Sequence, residues 1–199
     1  MLIKKNIKFY FFIDTLDEII KKNIKNFNNI SFIYKSNISN NTNLSNINTI
    51  RFFCKKNQIP FFFTNDFKLA KRFNADGVFL SSSYKKIGNF FLKKKNYQII
   101  GSAHNQLEYF LKKKQLCNVI MLSPIFYNKK YSRNKILNVC KFNLISLFWD
   151  KKICALGGIN SNNLKKLNMT NSKAIAFISL MKENLQKKSP LTISSKWAF

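Results

Sequence analysis

The sequence is poor in acidic residues, in histidine and in long apolar runs. Asp and Glu total 8 in 199 residues, and His104 is the single histidine. The cysteines, Cys54, Cys117, Cys140 and Cys154, include no C-x-x-C pair, so with one histidine they match no familiar zinc site. No apolar run reaches the roughly 18 residues of a membrane span, and the first residues do not resemble a signal peptide. We therefore expect a cytoplasmic protein with no membrane partner and with reduced cysteines in its core.

Basic residues, in contrast, are abundant. Lys and Arg total 35, which gives a formal net charge of +27. Such a charge can indicate a nucleic-acid partner. However, arginine, the residue favoured for base edges and phosphate forks, occurs only at Arg51, Arg72 and Arg133, and the lysines are spread along the whole chain. The accompanying Asn, Ile and Phe are residues that AT-rich codons encode. We therefore predict small phosphorylated substrates, and not nucleic acid, as the primary ligands.

Eight short apolar segments follow one another along the chain and are rich in aromatic and β-branched residues, as β-strands are. They are residues 8–13, 30–34, 59–63, 77–80, 97–100, 118–122, 151–156 and 174–178. Most are separated by segments with helical spacing, in which Leu107, Phe110 and Leu111, for example, share one face. Residues 81–91 look more like a loop than a full helix.

This alternation predicts an α/β fold, a single compact (β/α)8 TIM barrel. The domain would span residues 1–199, with a core at about 8–182 followed by a basic C-terminal tail. A doubly wound open sheet is the alternative, and it predicts a Gly-rich turn after the first strand. The chain instead has Asp14-Thr-Leu-Asp17 there.

Two turns near the end of the chain indicate a phosphate site. One apolar run ends in Gly157-Gly158 and the next ends at Ser179. Between them, Asn160-Ser-Asn-Asn163 offers helix-capping side chains, and a helix is expected to begin at Leu164. In a (β/α)8 barrel, the loops after strands 7 and 8 commonly bind phosphate through backbone N–H groups. A tight turn without a ligand is the alternative interpretation.

Chemistry in such a barrel belongs at the carboxyl ends of the strands. Asp14 follows the first strand, Asn65-Asp66 the third and His104 the fifth. Each has a plainer interpretation: Asp66 as a helix cap or Asx turn, His104 as a hydrogen-bonded wall residue, and Asp14, three residues before Asp17, as the cap of the first helix. Asp76 precedes the fourth strand and is expected at the opposite end of the barrel.

Six motifs carry a resemblance to a known family. In chain order they are Phe63-Thr-Asn-Asp66, Ala75-Asp-Gly-Val-Phe-Leu80, Ile100-Gly-Ser-Ala-His104, Ser123-Pro-Ile-Phe126, Ala155-Leu-Gly-Gly-Ile159 and Ala176-Phe-Ile-Ser-Leu180. From about Phe9 to Met181 the chain resembles the thiamine phosphate synthase family, which includes related thiazole tautomerases. The resemblance implies a (β/α)8 barrel that couples a hydroxymethylpyrimidine diphosphate to a thiazole phosphate, with Mg²⁺ and release of pyrophosphate.

The resemblance also implies roles for individual residues. Asn65 and Asp66 would contact the diphosphate, with Asp66 as a catalytic residue and a metal ligand. His104 would shuttle protons, as in the tautomerase branch. Lys130 would supply a catalytic cation after the sixth strand. The other substrate-binding residues would be Lys35, Ser102, Asn128, Lys129, Gly157, Gly158, Ile178 and Ser179.

The chain departs from the family at the carboxyl ends of four strands. Phe32-Ile-Tyr-Lys-Ser36 stands where the family has Gln-x-Arg-x-Lys, and Ser81-Ser-Ser-Tyr84 lacks a second metal-binding Asp. Asn128-Lys-Lys-Tyr131 keeps cations but loses the hydroxyls of Thr-x-Thr-Lys, and the fifth-strand motif is one residue short. A tautomerase-like isomerase that uses His104 without metal, and a non-catalytic barrel that binds a phosphorylated ligand, are the alternatives. Nothing in the sequence indicates an oligomeric state.

Overall fold

The computed structural model describes residues 7–35, 44–88, 97–129, 131–149 and 152–182. Eight parallel strands close into a barrel in which each strand pairs with its neighbours in sequence and the last pairs with the first. The predicted (β/α)8 TIM barrel is confirmed. The predicted basic tail lies outside the described residues. None of the helices in the described ranges is both long and apolar enough to cross a lipid bilayer.

Helices alternate with the strands around this barrel. The strands are β1 (Lys8–Ile13), β2 (Ile30–Tyr34), β3 (Phe61–Thr64), β4 (Gly77–Leu80), β5 (Gln98–Ala103), β6 (Val119–Leu122), β7 (Lys152–Leu156) and β8 (Ala174–Phe177). The α-helices are α1 (Glu18–Ile24), α2 (Leu44–Lys56), α3 (Phe67–Arg72), α4 (Gln106–Lys114) and α5 (Asn138–Leu147). Short 3-10 helices lie at Arg133–Lys135, Leu164–Met169 and Leu180–Lys182. All eight predicted strands are present, and β1, β2 and β4 have the predicted bounds.

Both faces of the barrel wall are buried. One set of strand residues, including Tyr10, Phe62 and Ile100, forms a core inside the barrel. The intervening residues, such as Phe11 and Phe32, pack in a second core together with residues of the helices. Because successive strand residues point to opposite faces, strands buried on both sides are apolar throughout. Polar side chains are therefore concentrated at the ends of the strands.

The start of α1 is fixed by a side-chain cap. The carboxylate of Asp17 accepts a hydrogen bond from the backbone N–H of Ile20 at 2.8 Å. Asp14 instead accepts a hydrogen bond from the ammonium of Lys182, also at 2.8 Å. The interpretation of Asp14 as the cap of this helix is therefore wrong, because Asp17 occupies that position. Asp14 stays at the carboxyl end of β1 as an ion-paired acid.

The buried face of α4 differs from the one predicted from its apolar residues. Leu107 and Phe110 are 82% and 48% exposed, whereas Tyr109 and Lys112 are buried. The Tyr109 ring stacks on Trp149 with 4.1 Å between ring centroids, and this contact fixes the rotation of the helix. The predicted apolar face is therefore wrong, because the buried residues of this helix are Tyr109 and Lys112.

Two further expectations are corrected. The helix expected from Leu164 is the 3-10 helix Leu164–Met169, and Asn163 makes no capping hydrogen bond into it. Cys54, Cys117 and Cys154 are buried as expected, but Cys140 is exposed. Cys140 lies on α5, and among the described residues of that helix Phe142 is the buried one.

Asp76 holds the opposite end of the barrel, as predicted. Its carboxylate accepts a hydrogen bond from the backbone N–H of Phe61 at 2.9 Å and pairs with Arg51 at 3.4 Å. Arg51 also donates to the backbone carbonyls of Phe73 and Asn74, at 3.2 and 2.6 Å. This acid therefore serves the fold and lies away from the functional end.

Replacing Gly77 by alanine tests how tightly this wall is packed. A Cβ at Gly77 would overlap the carbonyl oxygen of Gln98 and approach the Phe62 ring to 2.7 Å. We expect the free energy of unfolding, measured by urea denaturation, to fall by about 1–3 kcal/mol. The exposed Lys55→Ala on α2 is the control and should change it by less than about 0.5 kcal/mol. Equal values for the two variants would contradict the packing argument.

Candidate functional site

A pocket of about 700 Å³ opens at the carboxyl ends of β6, β7 and β8. A cavity of this size suits a small organic ligand. Six of the residues predicted to bind substrate line it, namely Asn128, Lys129, Gly157, Gly158, Ile178 and Ser179. The chain therefore brings these six predicted residues, from the loops after three adjacent strands, to one cavity.

The Gly157-Gly158 turn has a backbone shape that favours glycine. Its φ angles are 95° and 71°, both in the left-handed region. A Cβ at Gly157 would approach Pro124 Cα to 2.9 Å, and one at Gly158 would overlap the carbonyl oxygen of Phe126. The loop after β6 therefore packs directly on this turn, and the carbonyl of Gly157 accepts a hydrogen bond from the Phe126 N–H at 3.1 Å.

Asparagine side chains hold the rest of this turn. The Asn163 amide donates to the carbonyl of Gly158 at 2.7 Å, and the Asn160 side chain accepts from the backbone N–H of Asn163 at 3.2 Å. Within the described ranges, no backbone hydrogen bond outside the helices and strands uses the N–H of Gly158 or Ser179 as its donor. Both residues line one pocket, and backbone N–H groups of adjacent turns are groups that can bind an anion.

His104 lies beside this pocket, because it contacts two of the residues that line it. Its Nδ1 is 2.8 Å from the Ser123 carbonyl oxygen, and its ring centroid is 5.6 Å from that of Tyr131. The Ser123 hydroxyl oxygen is 3.1 Å from the same nitrogen. Because a carbonyl oxygen can only accept, a proton on Nδ1 satisfies the shorter contact and leaves the lone pair on Nε2. Ser102, two residues earlier on β5, is 6% exposed. Sequence reasoning did not single out Ser123, although its motif was recognised.

The predicted residues after β3 form a separate cluster with the end of β4. Asn65 donates from its amide to the Ser81 hydroxyl and accepts from the Ser81 backbone N–H, both at 2.9 Å. The hydroxyls of Ser81 and Ser83 are 3.0 Å apart. Asn65 has a φ of 55°, a left-handed value that asparagine tolerates better than most residues. None of these residues lines the 700 Å³ pocket.

Asp66 is the N-cap of α3, so its plainer interpretation is confirmed. One carboxylate oxygen accepts a hydrogen bond from the backbone N–H of Leu69 at 2.8 Å. Across the described segments, no three His, Cys, Asp or Glu side chains are grouped so that they could hold a metal ion. A single carboxylate suits Mg²⁺ only where phosphate oxygens and waters complete the six ligands. Asp66 fits that role together with a bound diphosphate, and its metal role stays a prediction.

Charged groups lie between β8, β1 and β2 at the same end. Partial burial raises the pKa of Asp14, but the hydrogen bond and charge of Lys182 outweigh it and lower the pKa below its ordinary value. The Lys35 ammonium lies 5.7 Å from the centre of the Phe12 ring. The Asp14–Lys182 pair was missed because it joins residues 168 positions apart. The predicted catalytic residue Lys130 lies outside the described residues.

A protein-family model described as thiamine monophosphate synthase matches residues 9–181. The thiamine-phosphate synthase of Limosilactobacillus reuteri (strain DSM 20016) is 25% identical over 135 residues, which cover 66% of this chain and 63% of that protein. That of Helicobacter pylori (strain HPAG1) is 31% identical over 117 residues, covering 57% and 53%. The matches therefore span less than two thirds of these relatives' own lengths.

Solved structures show the same fold. Thiamine phosphate pyrophosphorylase from Pyrococcus furiosus superposes with a TM-score of 0.72 at 18% identity, over 94% of both chains. The corresponding protein from Bacteroides thetaiotaomicron gives a TM-score of 0.57 at 15% identity, over 94% of this chain and 91% of that one. At these identities the similarity concerns the fold alone.

Replacing Gly158 by valine tests the pair of turns. The valine side chain would overlap the Phe126 carbonyl, and its backbone would have to adopt a φ of 71°. We therefore expect the turn to shift and its N–H groups to lose their alignment. The affinity for inorganic phosphate, measured by isothermal titration calorimetry, should fall at least about tenfold. The matched control is Gly88→Val, at an exposed glycine in the loop after β4. Unchanged affinity in a folded Gly158→Val would show that phosphate binds elsewhere.

Proposed function

Because this chain belongs to the thiamine monophosphate synthase family, we propose that it is a transferase that couples a hydroxymethylpyrimidine diphosphate to a thiazole phosphate. The products would be thiamine phosphate and pyrophosphate. The observation that carries the proposal is that six of the predicted substrate-binding residues line one pocket. The cytoplasmic location predicted from the sequence belongs to the same proposal.

The thiazole phosphate would occupy this pocket. Its phosphate would accept hydrogen bonds from the N–H groups of Gly158 and Ser179, and the left-handed Gly157-Gly158 turn is of the kind that presents N–H groups to an anion. Lys129 lines the same pocket and would add positive charge. Ile178, 44% exposed, offers apolar surface to the ring. Asn128 and Ser123 supply polar contacts that fix its orientation.

The pyrimidine diphosphate would lie toward β2, β3 and β4. Lys35 and Asn65 would contact its phosphate oxygens, and the second carboxylate oxygen of Asp66 would hold Mg²⁺. When bound, such a metal neutralises the charge that grows on the departing pyrophosphate. Lys130, predicted from the sequence, would add a cation. Ser102, on β5 between the two groups of residues, would face the reacting atoms.

An isomerase of the tautomerase type is the second candidate, and the geometry of His104 favours it. The Ser123 carbonyl fixes the proton on Nδ1, which leaves Nε2 as a base beside the pocket. This reaction moves protons on a thiazole phosphate and needs neither Asp66 nor a diphosphate. The two candidates therefore share the phosphate turns and differ in the residues that act.

A turnover assay separates the candidates. Purified protein would be mixed with both phosphorylated substrates, with and without Mg²⁺, and thiamine phosphate would be quantified. Mg²⁺-dependent product supports the transferase. Metal-independent isomerisation of a thiazole phosphate tautomer supports the isomerase instead. Binding of thiazole phosphate without turnover of any substrate would contradict both and leave a phosphate-binding barrel.

The variant Asp66→Asn tests the metal role without removing the helix cap, because asparagine caps helices as well as aspartate does. We expect Mg²⁺-dependent turnover to fall at least about 100-fold, since the metal would lose its protein carboxylate. The affinity for thiazole phosphate should stay within about twofold. Asp17→Asn, at the cap of α1, is the matched control and should retain activity. Full turnover in Asp66→Asn would remove this residue from the metal site.

The variant His104→Ala distinguishes the two reactions by removing the residue that only the isomerase would need. If the chain is the transferase, turnover should fall by less than about tenfold, because proton transfer by a positioned base contributes about 10²–10⁴-fold only where it acts. If the chain is the isomerase, activity should be lost while phosphate affinity is retained. Rates and phosphate affinity would be measured on the same preparation.

A further inference from the structure

The ammonium of Lys112 is a fully buried charge that the proposed reaction leaves unused. Lys112 lies on α4 and is 0% exposed. Its Nζ donates to the backbone carbonyls of Ser81 and Tyr84, at 2.6 and 2.9 Å, and to the side-chain oxygen of Gln115 at 3.0 Å. All three oxygens can only accept, so three N–H donors are required and the amine is protonated. Lysine is almost never fully buried unless such partners hold it.

Burying this charge has a cost that its hydrogen bonds must offset. Burial lowers the pKa of Lys112 from 10.5 to about 8, although the neighbouring Cys117 and Glu108 act to raise it. A lowered pKa means that the folded chain holds the proton less tightly than the unfolded chain. The ammonium therefore costs stability fully below about pH 8, and the cost disappears as the pH rises toward 10.5.

Two neighbouring residues complete the arrangement. The amide of Gln115 donates to the carbonyls of Tyr84 and Lys86 at 3.0 and 2.9 Å, so it holds the same segment as Lys112. Gly101 on β5 leaves room for the lysine stem, since a Cβ there would approach Lys112 Cδ to 2.8 Å. Packing against Lys112 thus explains why the first residue of the Gly-Ser-Ala-His motif is glycine.

The segment held in this way leads to the predicted diphosphate site. Residues 81–88 contain neither helix nor strand, and side chains of α4 and of its C-cap hold residues 81–86 by hydrogen bonds. At their start, Ser81 exchanges two hydrogen bonds with Asn65 at 2.9 Å. The contacts therefore run from Lys112 through Ser81 to a residue predicted to bind the diphosphate.

We propose that Lys112 is a positioning residue: its ammonium fixes the segment after β4 so that Ser81 orients Asn65 toward the diphosphate. The identity of the ligand rests on the proposed function. The hydrogen bonds from Lys112 to the carbonyls of Ser81 and Tyr84 do not rest on the proposed function, because they belong to the folded chain itself. Lys112 does not touch the substrate in this proposal and acts through Ser81.

The test uses Lys112→Met, which keeps the length of the side chain and removes the charge. The affinity for pyrophosphate in the presence of Mg²⁺ should fall at least tenfold by isothermal titration calorimetry. The affinity for inorganic phosphate should stay within twofold, because the Gly158 turn is independent of this segment. Amide hydrogen exchange should accelerate in residues 81–86. Lys114→Met, the same change at an exposed position of α4, is the matched control and should alter none of these values.

A second variant covers the case in which Lys112→Met does not fold. Gln115→Leu removes two of the donors to the same segment and should give the same selective loss of pyrophosphate affinity, with a smaller change. In both variants Tm is measured alongside. A selective loss without a matching loss of phosphate affinity supports positioning, whereas a parallel loss of both affinities would show a purely structural role and overturn it.

These measurements are independent of turnover. If the protein makes no thiamine phosphate, but binds pyrophosphate in a way that Lys112→Met weakens, the transferase fails and the positioning role stands. Wild-type pyrophosphate affinity retained in a folded Lys112→Met would overturn the positioning role, and so would a wild-type protein that binds no pyrophosphate.

Discussion

Burial of both faces of the barrel wall is the constraint on which the rest of the structure depends. Tyr10, Phe62 and Ile100 fill the inside, while Phe11 and Phe32 pack on the other side. A strand buried in this way can carry polar groups only near its ends. Because all eight strands are parallel, their carboxyl ends meet at one end of the barrel. The location of the site therefore follows from the fold before any functional residue is considered.

The strands could be predicted from sequence because their apolar runs are uninterrupted, and the errors have local causes. β3 begins at Phe61, after Pro60, which has no N–H to donate to the neighbouring strand. β5 extends to Ala103 through Gly101 and Ser102, small residues that do not look like part of a buried strand. The strand predicted from composition stops at Ile100, where the side chains become small, whereas in the structure the pairing with β6 continues to Ala103.

The orientation of the helices and part of the site could not be predicted, since they depend on contacts between distant residues. Spacing along α4 favours burial of Leu107, but stacking between Tyr109 and Trp149 turns the helix and buries Lys112. In a chain with 35 basic residues, no pattern distinguishes that lysine from its exposed neighbours. The Gly157-Gly158 turn was predicted because glycine itself reports a backbone requirement.

The two parts of the proposed site differ in what would hold a ligand. The turns after β7 and β8 would act through backbone N–H groups, which a sequence retains as long as the turn keeps its shape. The contacts proposed after β2 and β4 would depend on side chains, and the sequence departs from the expected motifs there, at Phe32-Ile-Tyr-Lys-Ser36 and Ser81-Ser-Ser-Tyr84. A contact that depends on a charged side chain is lost when that side chain changes, whereas a turn keeps its N–H groups as long as its backbone shape is kept. The part of the proposed site that the backbone builds, at Gly157-Gly158, is therefore the part that could be recognised from the sequence.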